Sequence, residues 1–273
     1  MAVVVLAMLA PTMAQTQFAS ASITPSTSGQ GAPTGMRLQP GGGFSATNVT
    51  LKQLIEFAYA RHPFDRREIV GGPAWVDSDR FDVTAKAASE HVVEADGATR
   101  QTWAMLASLL AERFKLTVRE EPRERQVYGL LLGSPDGGLG PKLKRSDVDC
   151  GAVMRGEAKV PAGQGPPCGL KTPPGRLFAN TFTLPAIASF LSRFLDRPVI
   201  DRTGLTGRFD VEIEAAEIKA PPDYKPGPSD IGLPPAPGTP LSTALREQLG
   251  LKLERQTGYI PVLVIEEAHR PTR

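Results

Sequence analysis

Two aspartates stand where chemistry could happen. Asp82 follows Arg80-Phe81 and Asp210 follows Arg208-Phe209, so each carboxylate sits third in an Arg-Phe-Asp-Val block. A carboxylate pair could divide acid and base work in a hydrolysis if one member kept its proton. Their repetition argues for a structural role instead, because equivalent sites in two modules are usually structural, and alternate side chains of a strand point to solvent. His62, His91 and His269 stand far apart, without a second His or a Cys at metal-ligand spacing. The sequence has no GxSxG elbow, P-loop or dinucleotide fingerprint, since Gly41-Gly42-Gly43 precedes a strand rather than opening a helix. No catalytic residue, metal ligand or cofactor is therefore assigned.

Cys150 and Cys168 are the only two cysteines. Both lie in a Gly/Pro-rich stretch, and a bridge between them would close a loop of about 19 residues, worth on the order of 3 kcal/mol in the chain-entropy account. A disulfide staple is expected. Pro73 and Trp75, beside the Gly71-Gly72 turn, and Tyr224, in the proline-rich run 220–240, form the candidate interaction surface, since an aromatic ring beside a rigid turn offers a flat apolar face.

The elements that hold these residues occur twice. Phe44 to Leu51 matches Leu177 to Leu184 at an offset of 133, the Arg-Phe-Asp-Val blocks match at 128, and Leu110 to Val118 matches Leu245 to Leu253 at 135. Leu51, Leu54, Ile55 and Ala58 have the spacing of one helix face, as do Leu184, Ile187, Ala188 and Leu191. Thr50 and Gln53 have capping-box spacing at the first helix start, and Pro185 suits the first turn of its counterpart. A second helix pair carries Leu106, Leu109, Leu110 and Phe114 against Leu241, Ala244, Leu245 and Leu249.

After each second helix two strands are expected, 115–119 then 126–132 and 251–255 then 260–266, with Arg119 to Arg125 as a solvated hairpin tip. The reading is α+β: two tandem β-α-β-β-α-β-β modules, helices packed on mostly antiparallel sheets. The expected divisions are a signal peptide 1–14, a flexible arm 15–35, a first repeat 36–132, a linker 133–175 with the Cys pair, and a second repeat 176–273.

The chain of 273 residues is 41% hydrophobic and 22% charged with net charge +2, so nothing announces a nucleic-acid partner. Ala2 to Ala10 is an apolar run of signal-peptide length and small residues precede a cut after Ala14, although no Lys or Arg stands before Arg37. No other run reaches the roughly eighteen apolar residues of a membrane span. The expected location is outside the cytoplasm, periplasmic or secreted.

Thr24-Pro25-Ser26, Asn48-Val49-Thr50-Leu51, Val70-Gly71-Gly72-Pro73-Ala74-Trp75, Asp79-Arg80-Phe81-Asp82, Leu110-Ala111-Glu112-Arg113-Phe114 and the run Arg197 to Arg208 together resemble the soil-associated protein family expanded in acidobacterial genomes. The resemblance implies an exported domain of unknown function, in some members attached to a BlaR-type membrane metallopeptidase, and supplies no catalytic residues. This chain has no HExxH motif. The repeat unit also resembles, in element order alone, the small N-terminal domains of secretins and TonB-dependent receptors. The functional expectation is a non-enzymatic binding protein with a protein or peptide partner in the cell envelope. Its alternatives are a hydrolase with a site between modules, or a detached sensory domain acting with a membrane metallopeptidase.

Overall fold

The structure, a computed structural model, describes residues 17–29, 31–62, 65, 67–88, 100–134, 136–158, 168–221, 224–227, 230 and 238–271. The expected signal peptide, residues 1–14, lies outside them, as does His91. In chain order the first half holds β1 (Ser20–Pro25), β2 (Gly35–Gln39), β3 (Gly43–Thr50), α1 (Leu51–Ala58), β4 (Ile69–Gly71), α2 (Trp75–Ser78), β5 (Arg80–Lys86), α3 (Arg100–Phe114) and β6 (Thr117–Leu132). The second half holds β7 (Leu143–Arg145), α4 (Cys150–Met154), β8 (Gly169–Lys171), β9 (Arg176–Phe182), α5 (Leu184–Leu191), β10 (Val199–Asp201), β11 (Phe209–Glu214), α6 (Leu241–Ala244) and β12 (Leu251–Glu267). The fold is mixed α+β, with three four-stranded sheets.

The two outer sheets run β1-β5-β3-β2 and β7-β11-β9-β8, all antiparallel. Each pairs its Asp-bearing strand with the strand that leads into a helix. Helix α1 forms where the sequence calls for it: the Thr50 hydroxyl accepts the Gln53 N–H at 3.2 Å, and the Gln53 side chain accepts the Thr50 N–H at 2.9 Å. Its Leu51, Leu54 and Ile55 are fully buried, each contributing roughly 1.5–3 kcal/mol relative to exposure. Helix α5 buries Leu184, Ile187, Ala188 and Leu191 in the same way.

The middle sheet, β10-β6-β12-β4, corrects the expected modules. Each anticipated pair of strands is one continuous strand, of 16 residues in β6 and 17 in β12, paired antiparallel from Leu132–Leu251 to Thr117–Glu267. Arg119 to Arg125 is the middle of β6 rather than a hairpin tip. Charged residues fit there because the middle of the ribbon has no outer neighbour: β10 covers only Tyr128 to Leu130 and β4 only Leu263 to Ile265.

The long strands also exchange between halves. Leu263 and Ile265 of β12 are buried in the first lobe's core with α1, α3, β3 and β5, whereas Leu130 of β6 is buried in the second lobe's core with α5, α6, β9 and β11. Neither half closes its core alone.

Other boundaries shift as well. The 15–35 segment contains β1, tied along its length to β5, because an open sheet edge gains a full ladder from it. The 133–175 stretch contains β7, α4 and β8, which complete the second outer sheet and carry the disulfide. Helix α6 is a single turn continued by a π-helical turn, Leu245–Leu249, shorter than its counterpart α3.

Candidate functional site

The repeated aspartates do structural work. In the first outer sheet two residues, Thr47 and Asn48, face Asp82 alone, and Asn48 is forced to φ 55°. Asp82 Oδ1 accepts the Asn48 N–H at 2.7 Å. In the second outer sheet Asn180 and Thr181 face Asp210, Thr181 has φ 69°, and Asp210 Oδ1 accepts its N–H at 2.9 Å. A positive φ is costly for a β-branched residue, so a carboxylate that satisfies the displaced N–H holds the bulge in place. These side chains thus turn to the bulge, not to solvent, and the two stand in different sheets.

Trp75 opens α2 and covers the edge of the first core. Its ring stacks on Phe114 with centroids 6.3 Å apart and meets Phe81 edge-on at 6.4 Å. Arg270 lies over the same ring at 5.3 Å and pairs with Asp79 at 2.7 Å. Pro73 is exposed beside it. The turn needs glycine, since Gly71 has φ 78° and a Cβ there would lie 2.8 Å from the Ile265 carbonyl oxygen.

Tyr224 lies outside any strand and is linked through Asp230 to β8 of the second outer sheet. Its hydroxyl donates to Asp230 at 2.6 Å, and Asp230 also takes the Gly227 N–H and the ammonium of Lys171 on β8, each at 2.6 Å. The hydrogen bonds from Lys171 and Tyr224 hold the Asp230 carboxyl down at about 2. Burial, with Asp230 beside it, pushes the Tyr224 phenol up to about 12. The structure therefore does not gather Trp75, Pro73 and Tyr224 into one surface. Cys150 and Cys168 form a disulfide with Cα atoms 5.7 Å apart.

A cleft of about 750 Å³ lies between the lobes. One wall is the α1–β4 connection with Arg61, Asp65, Arg67 and Glu68. The other is the α5–β10 region with Ser192, Asp196, Arg197 and Pro198. Tyr259, Ile260 and Pro261 of β12 contribute from the ribbon. Strand exchange brings these three segments together.

Ion pairs fill the walls. Arg67, almost fully buried, lies between Asp65 at 3.1 Å and Glu120 at 2.7 Å, and Arg61 reaches the same two carboxylates at 3.6 and 3.8 Å. Arg125 grips Glu68 with both oxygens engaged, at 2.9 to 3.2 Å. Arg197 pairs with Asp196 at 2.8 Å while its guanidinium lies 5.2 Å from the Tyr128 ring centre. The Arg197 hydrogen bond holds the Asp196 carboxyl below the ordinary carboxylate range. Asp201 Oδ1 accepts the Thr203 N–H and hydroxyl at 2.9 and 2.8 Å.

Tyr259 stands out from this saturated setting. It is 65% exposed, and its hydroxyl donates to Glu124 at 3.3 Å.

A model for a family of proteins of unknown function, DUF3738, matches residues 52–268. The chain belongs to the DUF3738 family. The DUF3738 match takes in every residue of the cleft walls and ribbon, while β1, β2 and Arg270 lie outside it. Neither a curated protein nor a solved structure matches the chain.

Of the cleft residues, His62 is one of the isolated histidines and Arg197 to Asp201 open the run that carries the family resemblance, while neither motif nor spacing singles out the others. Tyr259 had one weak signal, an aromatic beside Ile-Pro at the end of the polar stretch Glu254 to Thr257.

Proposed function

We propose that this DUF3738 protein is an exported, non-enzymatic binding protein of the cell envelope, with the interlobe cleft as its ligand site. The carrying observation is the pairing of Asp65, Glu68 and Asp196 with arginines, Asp201 being held by Thr203. A carboxyl group that acts as general acid in hydrolysis must keep its proton near neutrality, and Asp196 is shifted the opposite way. Ionised, mutually neutralised side chains on a rigid frame suit recognition.

The Cys150–Cys168 disulfide and the apolar run Ala2 to Ala10 support export, since disulfides persist in oxidising compartments. The matching order of the two outer sheets supports the duplication, with the units 36–132 and 176–273 completed by exchange of their last strands. No helix among the described residues is long and apolar enough to cross a membrane.

A second reading places a protein or peptide partner on the outer edge of β2, where Leu38 is 44% exposed on a strand paired on one side only. Hydrogen exchange of the full chain against fractionated envelope extract separates the two. Protection at 61–68, 192–201 and 259–261 is expected for the cleft. Protection confined to 35–39 would overturn the cleft in favour of the edge.

A further inference from the structure

We infer that the interlobe cleft takes an uncharged oligosaccharide, one of whose sugar rings stacks on Tyr259. The inference rests on the reading of the cleft as the ligand site and names the ligand's chemistry.

Four arginines and four carboxylates line the cleft, so the lining carries no net charge at neutral pH. At Arg67 and Arg197 an anionic ligand would have to displace a carboxylate already paired, Asp65 at 3.1 Å or Asp196 at 2.8 Å, and a cationic ligand would have to displace the arginines that hold Asp65, Glu68 and Asp196. A neutral ligand leaves every pair intact.

Hydroxyl groups suit what the pairs leave over. A guanidinium has five N–H donors and a carboxylate about four acceptor sites, and a hydroxyl can both donate and accept. Guanidinium and carboxylate groups stand side by side in the pairs Arg67–Asp65 and Arg197–Asp196, so neighbouring sugar hydroxyls can meet a donor and an acceptor there.

Tyr259 supplies the apolar part. Its hydroxyl is tied to Glu124, which sets the direction of a ring that is otherwise 65% exposed beside Ile260 and Pro261. The C–H face of a pyranose covers such a ring without the deep burial that an aliphatic side chain would seek. The volume of about 750 Å³ lies within the range of small-ligand sites.

An extended peptide fits less well. It would pair with strand backbone, yet the ribbon strand in the cleft has proline at position 261, which offers no N–H.

The test is calorimetric titration of the full chain, with amide chemical shifts to locate binding. The probes are uncharged hexasaccharides of glucose, xylose, mannose and N-acetylglucosamine, an oligogalacturonate as the acidic arm, and neutral proline-rich and proline-free peptides. At least one uncharged hexasaccharide is expected to shift the amides of Tyr259, Ile260 and the non-proline residues of 192–201, with affinity unchanged between low and high salt. Tyr259→Ala should weaken it by about tenfold or more, and Tyr259→Phe by less than about threefold, because the stacking face survives. Tyr259 is exposed, so both variants should melt with the parent.

If peptides or the oligogalacturonate shift the cleft amides and the hexasaccharides do not, the oligosaccharide is overturned while the cleft stands. Hexasaccharide binding that Tyr259→Ala leaves unchanged overturns the stacking. If no probe of any class moves a cleft amide, the inference and the reading beneath it fall together.

Discussion

Pro122 of β6 and Pro261 of β12 face each other across the ladder of the central ribbon. Gly133 donates to Gly250 at 2.7 Å in the same register, so strict alternation makes the proline pair a non-hydrogen-bonded one, whose N–H groups would point away from the partner strand. Neither β10 nor β4 reaches those positions. The prolines cost the ribbon no ladder bond, and they blunt two open edges against strand addition. Replacing both by threonine should change stability by less than about 1 kcal/mol but increase self-association, as read by sedimentation velocity. Unfolding of the double variant would show that the pair is wrongly placed in the ladder.

The exchange of strands predicts action at a distance in sequence. Leu263→Ala removes a buried side chain from the first lobe and should cost about 2–5 kcal/mol, with hydrogen exchange accelerating in β3 and β5 near residues 44–50 and 80–86. Acceleration confined to the second lobe would contradict the exchange.

Asp82→Ala and Asp210→Ala each leave a buried bulge N–H without its acceptor and should cost about 1–3 kcal/mol in urea unfolding. Asp→Asn at either site keeps an oxygen acceptor and should recover part of that loss. Ligand affinity should be unchanged by all four variants. A fall in affinity without a fall in stability would restore the carboxylates as site residues.

The Tyr224–Asp230–Lys171 latch has a defined pH window. Asp230 is depressed to about 2 in the folded protein, against about 4 when free, so its contribution is complete above about pH 4 and is lost as pH falls through about 2. Tyr224 is raised to about 12, from about 10, so its contribution is complete below about pH 10 and is lost as pH rises through about 12. Proteolytic cutting near 224–227 should accelerate at both extremes and stay slow between them. Asp230→Asn should open the acid end of that window.

Arg270 over Trp75 makes the aromatic half-buried rather than presented. Arg270→Ala should red-shift Trp75 fluorescence and cost about 0.5–1 kcal/mol. Binding in the cleft should not change, whereas loss of binding would return Trp75 to the interaction surface.

The outer sheets and their helices were legible because their signals are local. The Thr50–Gln53 cap, the leucine spacing of α1 and α5, and the repeated Arg-Phe-Asp-Val blocks each report on neighbours within a few residues. The two long strands were not legible, because Pro122 and the alternating charges of Arg119 to Arg125 look like a turn whenever a strand is assumed to have neighbours on both sides. The linker and arm strands, β7 and β1, were hidden by their length or their Ser/Thr content. The cleft was invisible for a different reason: Arg67, Asp196 and Tyr259 are far apart in the chain and meet only through the strand exchange.

The most direct test of a binding protein rather than an enzyme is the fate of what it captures. Envelope fractions that protect 61–68, 192–201 and 259–261 from exchange should be incubated with the full chain at neutral pH and the bound material recovered and weighed by mass spectrometry. Recovery of the ligand chemically unchanged after prolonged incubation is the predicted result. Its conversion to smaller products, abolished by Asp196→Asn, would contradict the account.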